Sequence, residues 1–129
     1  MRCRTQPSIL IVEDDAALRV ALVRVIRNRG WCTYAAGSAE EALELVDSAR
    51  LEIDAIISDF TLPGISGLEL IRQLRAHRPS LPAVLVTGAS GVQILRRSSD
   101  QVQTEVIRKP LRYADLLAWI EAAIPTNDQ

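Results

Sequence analysis

At 129 residues the chain is most simply one domain with its own core, and 48% hydrophobic and 24% charged residues with six Gly and six Pro exclude a disordered or collagen-like polymer. A net charge of −1 and the lack of a long basic tract give no reason to expect nucleic acid as a partner. No apolar run approaches membrane-spanning length, and Met1 to Pro7 carries Arg2 and Arg4 with no signal-type apolar segment behind them, so a cytoplasmic protein without membrane contact is expected. Cys3 and Cys32 are too few for a disulfide framework and, with Cys3 in an expected N-terminal tail over 1–7, are read as unbridged.

The first element is a five-residue apolar run, S-I-L-I-V over 8–12, which stops at Glu13-Asp14-Asp15. Residues 16–29 then place Ala17, Leu18, Ala21, Leu22, Val25 and Ile26 at helical spacing. Arg19, Arg24, Arg27 and Arg29 fall largely off that stripe and are read as its wet face; Gly30 suits the position just past the helix end. A second strand is expected over 31–36. It is followed by Ser38-Ala39-Glu40-Glu41, a capping-box pattern that opens a helix using Ala39, Ala42, Leu43 and Val46. The third strand lies in A-I-I-S-D-F-T-L-P-G-I-S-G, Ala55 to Gly67, and ends at Asp59. A helix over about 66–77 carries Leu68, Ile71 and Leu74, and Pro79 bars its continuation; His77 is read as a solvated residue at that end, where a cation suits the helix dipole. The fourth strand, 83–86, runs into Thr87-Gly88, and 90–103 is compatible with a short helix. A weaker fifth strand, 102–107, ends in Arg108-Lys109-Pro110, and a last helix over 112–123 turns Leu116, Leu117, Ile120 and Ile124 inward. The order is βα repeated five times with unbroken apolar strands, which implies a parallel sheet with helices on both faces. Neither a G-x-G-x-x-G nor a G-x-x-x-x-G-K-[ST] motif is present, so dinucleotide and P-loop chemistry lose their main signature.

In such a sheet the residues just past the strands share one edge, where ligands bind. Here they are Glu13 and Asp14, Asp59, Thr87 and Lys109. A lone loop aspartate more often caps a helix, and a lone lysine is more often solvated. Three carboxylates at one edge repel each other unless a cation sits among them, and oxygen-only donors with room for water suit Mg²⁺. A lysine and a hydroxyl facing that group complete the donors that phosphoryl transfer to a carboxylate needs.

The runs I-L-I-V-E-D-D, I-I-S-D-F-T-L-P-G-I-S-G, V-L-V-T-G and I-R-K-P-L, in this order and spacing, resemble the receiver domains of bacterial response regulators, from about Ser8 to Ile124. The resemblance implies an α/β fold, a (βα)5 doubly wound parallel sheet of flavodoxin-like strand order 2-1-3-4-5, with tails over 1–7 and 125–129. It implies Asp59 as phosphoacceptor and Mg²⁺ bound by Asp14, by Glu13 through water, by Asp59 and by the backbone carbonyl of Thr61. It gives Thr87 and Lys109 the phosphoryl oxygens and makes the Lys109–Pro110 bond cis, while Gly88 leaves the phosphoryl group room. Asp15 has no role in it and is read as a helix N-cap. Val106 stands where the family commonly carries Tyr or Phe, so its usual aromatic switch cannot operate in that form. Ser66 replaces a frequent acid, and 96–103 lacks the usual Ala-Gly-Ala turn.

The expected function is that of a receiver without an output domain. A histidine kinase or phosphotransfer protein phosphorylates it in a Mg²⁺-dependent step, switching a face that an unknown downstream protein reads. It is expected to be a monomer or a phosphorylation-dependent dimer, and to catalyse only its own phosphorylation and dephosphorylation. Ile94 and Trp119 are weak candidates for the contact surface. Two alternatives stand beside it: a receiver cut from a hybrid kinase or larger regulator, and a small flavodoxin-like phosphotransferase or phosphatase acting on a diffusible substrate.

Overall fold

A computed structural model describes residues 6–88 and 104–124. Five parallel strands, β1 (Ser8–Val12), β2 (Cys32–Ala36), β3 (Ala55–Asp59), β4 (Ala83–Thr87) and β5 (Thr104–Arg108), form one sheet. Its order is β2-β1-β3-β4-β5, the expected flavodoxin-like arrangement. Four helices are described: α1 (Ala16–Arg27), α2 (Ala39–Ala49), α3 (Gly67–Arg75) and α4 (Tyr113–Ala123). The short helix expected within 90–103, with Ile94, lies outside the described residues, as do the terminal residues 1–5 and 125–129.

Side chains alternate across a strand, so each central strand feeds two cores. Leu10, Val12, Ile56 and Leu85 pack with Ala42 of α2 and Leu70, Ile71 and Leu74 of α3. Ile9, Ile11, Ile57, Val84 and Val86 pack on the other face with Leu22 and Ile26 of α1 and Leu116 and Ile120 of α4. All residues of β1, β3 and β4 are buried, as their unbroken apolar runs require. β5 departs from that expectation: Glu105 and Arg108 are exposed and its other residues half-buried, because it is an edge strand.

The helix ends follow local chemistry. Asp15 Oδ1 accepts from the backbone N–H groups of Ala17 and Leu18, making it the N-cap of α1. That helix stops at Arg27, short of the expected residue 29, and Gly30 takes the left-handed φ of +97° that turns the chain toward β2. Ser38 caps α2 by accepting from Glu41 N–H, while Glu41 Oε1 reaches back to Gly37 N–H. Ser66 caps α3 by accepting from Glu69 N–H, so the serine that replaces a family acid holds the start of that helix. His77 is exposed past the end of α3.

Two expectations are corrected. The arginines at 19, 24, 27 and 29 are solvated as expected with one exception: Arg19 is half-buried, while Arg24, Arg27 and Arg29 are exposed, Arg27 also binding Thr33 and Arg29 pairing with Glu121 of α4. Cys32, read as unbridged, is disulfide-bonded; Cys3 lies outside the described residues. The misreading came from treating the N-terminal stretch as free of the sheet. Cys32 N–H donates to Pro7 O at 3.0 Å, so the chain entering β1 runs directly beside it.

Candidate functional site

Strand register sets the geometry of the carboxyl edge. Val12 is level with Ser58, Asp59 with Val86, and Thr87 with Arg108. Glu13, Asp59, Thr87 and Lys109 therefore leave four different strands at nearly one height. Backbone pairing continues past the strands: Glu13 N–H donates to Ala36 O, Phe60 N–H to Val86 O, and Lys109 N–H to Thr87 O, all within 3.0 Å. The first residues beyond β1, β3 and β5 are thus still hydrogen-bonded to the neighbouring strand.

Glu13, Asp14 and Asp59 each bring a carboxylate oxygen within 4.8 Å of the others. Glu13 and Asp59 are buried and Asp14 is exposed, so the cluster has a dry floor and a wet mouth. Lys109 Nζ donates to Asp59 Oδ2 at 3.2 Å across 50 residues of chain, with the lysine side chain 42% exposed and the aspartate 7%. Lys109–Pro110 is cis, as expected. Burial pushes the Glu13 carboxyl above its ordinary value of 4.5, with Asp59 and Asp14 adding to the rise, while the Asp15 N–H and Lys109 oppose it. Of the expected site residues, Glu13, Asp14, Asp59 and Lys109 are brought together. Thr87 is buried at the end of the adjacent strand, and Thr61 is exposed in the loop two residues past Asp59. An all-oxygen donor set of three acids fits a small hard cation that keeps some of its water.

Residues outside the expected set build the frame. The start of α3 lies against β3 so closely that a Cβ on Gly67 would fall 2.2 Å from Asp59 O and 2.8 Å from Ser58 Oγ. Gly67 N–H also donates to Phe60 O at 2.9 Å. The turn between them uses Gly64 at φ +77°, where a Cβ would meet Glu40 Oε2 at 2.5 Å. That same oxygen accepts from Ile65 N–H at 3.1 Å, tying the loop after Asp59 to the first turn of α2. Arg19 Nη1 donates to Glu13 O at 2.7 Å. Helical periodicity hides such an arginine, because its stem follows the helix while its head reaches elsewhere. The available signal is its place in the second turn of α1, where side chains lean toward the helix N-terminus and so toward Glu13.

Residues 9–121 match the family described as the response regulator receiver domain. This chain belongs to that family. The receiver is 35% identical over 116 residues to the response regulator MprA of Mycobacterium leprae, covering 90% of this chain and 50% of that protein. It is 28% identical over 121 residues to the sensor kinase CckA of Brucella abortus, covering 94% of this chain and 13% of the kinase. The chain thus spans half or less of the length of these relatives. Among solved structures it resembles the response regulator TrrA of Thermotoga maritima in complex with Mg²⁺-BeF, with a TM-score of 0.80, 26% identity, and coverage of 92% and 100% of the two chains. A receiver domain protein from Clostridium thermocellum gives a TM-score of 0.81 at 25% identity, covering 92% of this chain and 94% of that one. At the position of the family's aromatic switch the receiver has Val106, half-buried in β5 beside Leu85.

Proposed function

We propose that the receiver accepts a phosphoryl group on Asp59 from a histidine kinase or phosphotransfer protein. The observation that carries this reading is the Lys109–Asp59 contact of 3.2 Å beside the three-acid cluster. An Asp59 carboxylate oxygen attacks phosphorus, the bond from phosphorus to the donor's nitrogen or oxygen breaks, and the leaving group takes a proton from solvent. Lys109 Nζ sits where it meets the charge gathering on the phosphoryl oxygens, and the Thr87 hydroxyl donates to another of them. Asp14, Asp59 and the Thr61 carbonyl, with Glu13 through water, would hold Mg²⁺, which would offset the negative charge of acceptor and phosphoryl group together. The TrrA structure, a complex with Mg²⁺-BeF, supports this assignment by likeness.

Phosphorylation adds about −1.5 to −2 charges at the strand ends. That charge biases a two-state equilibrium of the face around β4, β5 and α4, which a downstream protein or a second copy reads. The protein catalyses only its own phosphorylation and dephosphorylation. Its relatives carry such a domain within longer chains, so the same chemistry serves a receiver alone or one joined to an output or kinase module.

The test uses purified protein, Mg²⁺ and acetyl phosphate, read by intact mass. The expected result is a gain of one phosphoryl group that Asp59→Asn abolishes and that chelation of the metal prevents. A mutant that labels as well as the wild type overturns the assignment.

A further inference from the structure

We propose that Arg19 is a positioning residue for the metal-binding acids, acting as a brace on the peptide that joins Glu13 to Asp14; this rests on the phosphoacceptor reading above. Arg19 Nη1 donates to the carbonyl oxygen of Glu13 at 2.7 Å. Because the peptide unit is planar, fixing that oxygen also fixes the nitrogen and Cα of Asp14. Glu13 is held at two further points: its N–H donates to Ala36 O at 3.0 Å, and its Oε2 accepts from Asp15 N–H at 3.1 Å. Arg19 supplies the only one of these three restraints that comes from a side chain outside the loop and sheet.

The site of the guanidinium is itself built. A Cβ at residue 37 would lie 3.1 Å from Arg19 Nη1, so Gly37 leaves the space the head group occupies. Gly37 is in turn fixed by Glu41 Oε1, which accepts its N–H at 2.8 Å. The ends of β1 and β2 thereby lie against one guanidinium carried by α1, and α2 reaches it only indirectly, through Glu41 and Gly37. A cation that hydrogen-bonds the backbone of a metal-binding residue has two opposite effects on a divalent ion. Its charge repels the ion, so losing it as a mere charge tightens Mg²⁺ binding. Its hydrogen bond holds ligands in place, so losing it as a brace loosens Mg²⁺ binding; groups that orient metal ligands typically contribute 10–100-fold in affinity. The two roles predict opposite signs.

The experiment measures Mg²⁺ affinity by isothermal titration calorimetry on the whole chain, with thermal unfolding in chelator as the measure of folding. Arg19→Met is expected to weaken Mg²⁺ binding about 10-fold. Arg24→Met, which removes an exposed arginine of the same helix, is expected to leave the affinity unchanged or slightly tighter. Gly37→Ala keeps the charge of Arg19 but crowds its head group, and is expected to weaken binding in the same direction by less. Unchanged or tighter binding in Arg19→Met overturns the brace; if that variant does not fold, unchanged binding in Gly37→Ala does so. A wild-type protein that binds no Mg²⁺ at millimolar concentration overturns the phosphoacceptor reading and the brace with it, whereas normal wild-type binding with an indifferent Arg19→Met sinks the brace alone.

Discussion

Gly67→Ala tests whether the packing of α3 on β3 sets the position of Asp59. The added methyl would lie 2.2 Å from Asp59 O, 2.8 Å from Ser58 Oγ and 3.0 Å from Leu85 Cδ2. Carbon and oxygen need more than 3 Å between them, so the helix start and the Asp59 peptide must separate by nearly an ångström. The obstacle is backbone, which cannot swing aside. Overpacking of this kind costs about 1–3 kcal/mol. A clash with backbone belongs in the upper part of that range, about 2–3 kcal/mol, and alanine in a helix returns up to about 1 kcal/mol relative to glycine, so the net loss is about 1–2 kcal/mol. At about 4 °C per kcal/mol for a domain of this size, the melting temperature falls by about 4–8 °C. The same displacement disturbs the 3.2 Å contact of the Asp59 carboxylate with Lys109, so acetyl phosphate labelling is expected to slow as well. Circular dichroism melts and timed intact-mass measurements read the two effects. A variant that melts within 1 °C of wild type and labels at its rate refutes the claim that the close approach of helix and strand places the acceptor.

Lys109→Ala is expected to slow labelling about 100-fold, the usual scale for losing one charge-stabilising donor, while Mg²⁺ binding persists; normal labelling with lost metal affinity contradicts the role given to Nζ. For Glu13 the folded carboxyl sits above its ordinary value of 4.5, so between the two values the unfolded chain has released a proton that the folded one still holds. Stability in chelator therefore falls as pH rises through that window, and Glu13→Gln removes this contribution. The stability difference between mutant and wild type in urea titrations should grow in the mutant's favour from pH 4.5 upward, and a difference that does not change with pH refutes the assignment.

The strand order and the four converging side chains were legible because buried parallel strands advertise themselves as unbroken apolar runs, and four of the five runs here give way to a polar residue. The caps at Asp15 and Ser38 were legible for the same local reason: a short oxygen-bearing side chain before an amphipathic stretch has one obvious use. Ser66 stands where the family often carries an acid, but its place three residues before Glu69 is the same local capping signal. β5 read as buried because Val106 and Ile107 are apolar, but an edge strand's exposure depends on what lies beside it. Arg19, Glu40 and Cys32 were missed together. Each makes its contact through a long reach or through proximity to a segment distant in sequence, and neither periodicity nor spacing encodes that.

β4 lies between the strands that supply Asp59 and Lys109 and pairs with both. A one-residue slip on either side would carry the lysine about 3.3 Å along the sheet and turn alternate side chains to the wrong layer. On the phosphoacceptor reading, collapsed chains with misaligned strands would label far more slowly than native ones. The fast phase of acetyl phosphate labelling would then be a census of the molecules whose sheet has locked into native alignment, obtained without any spectroscopic probe.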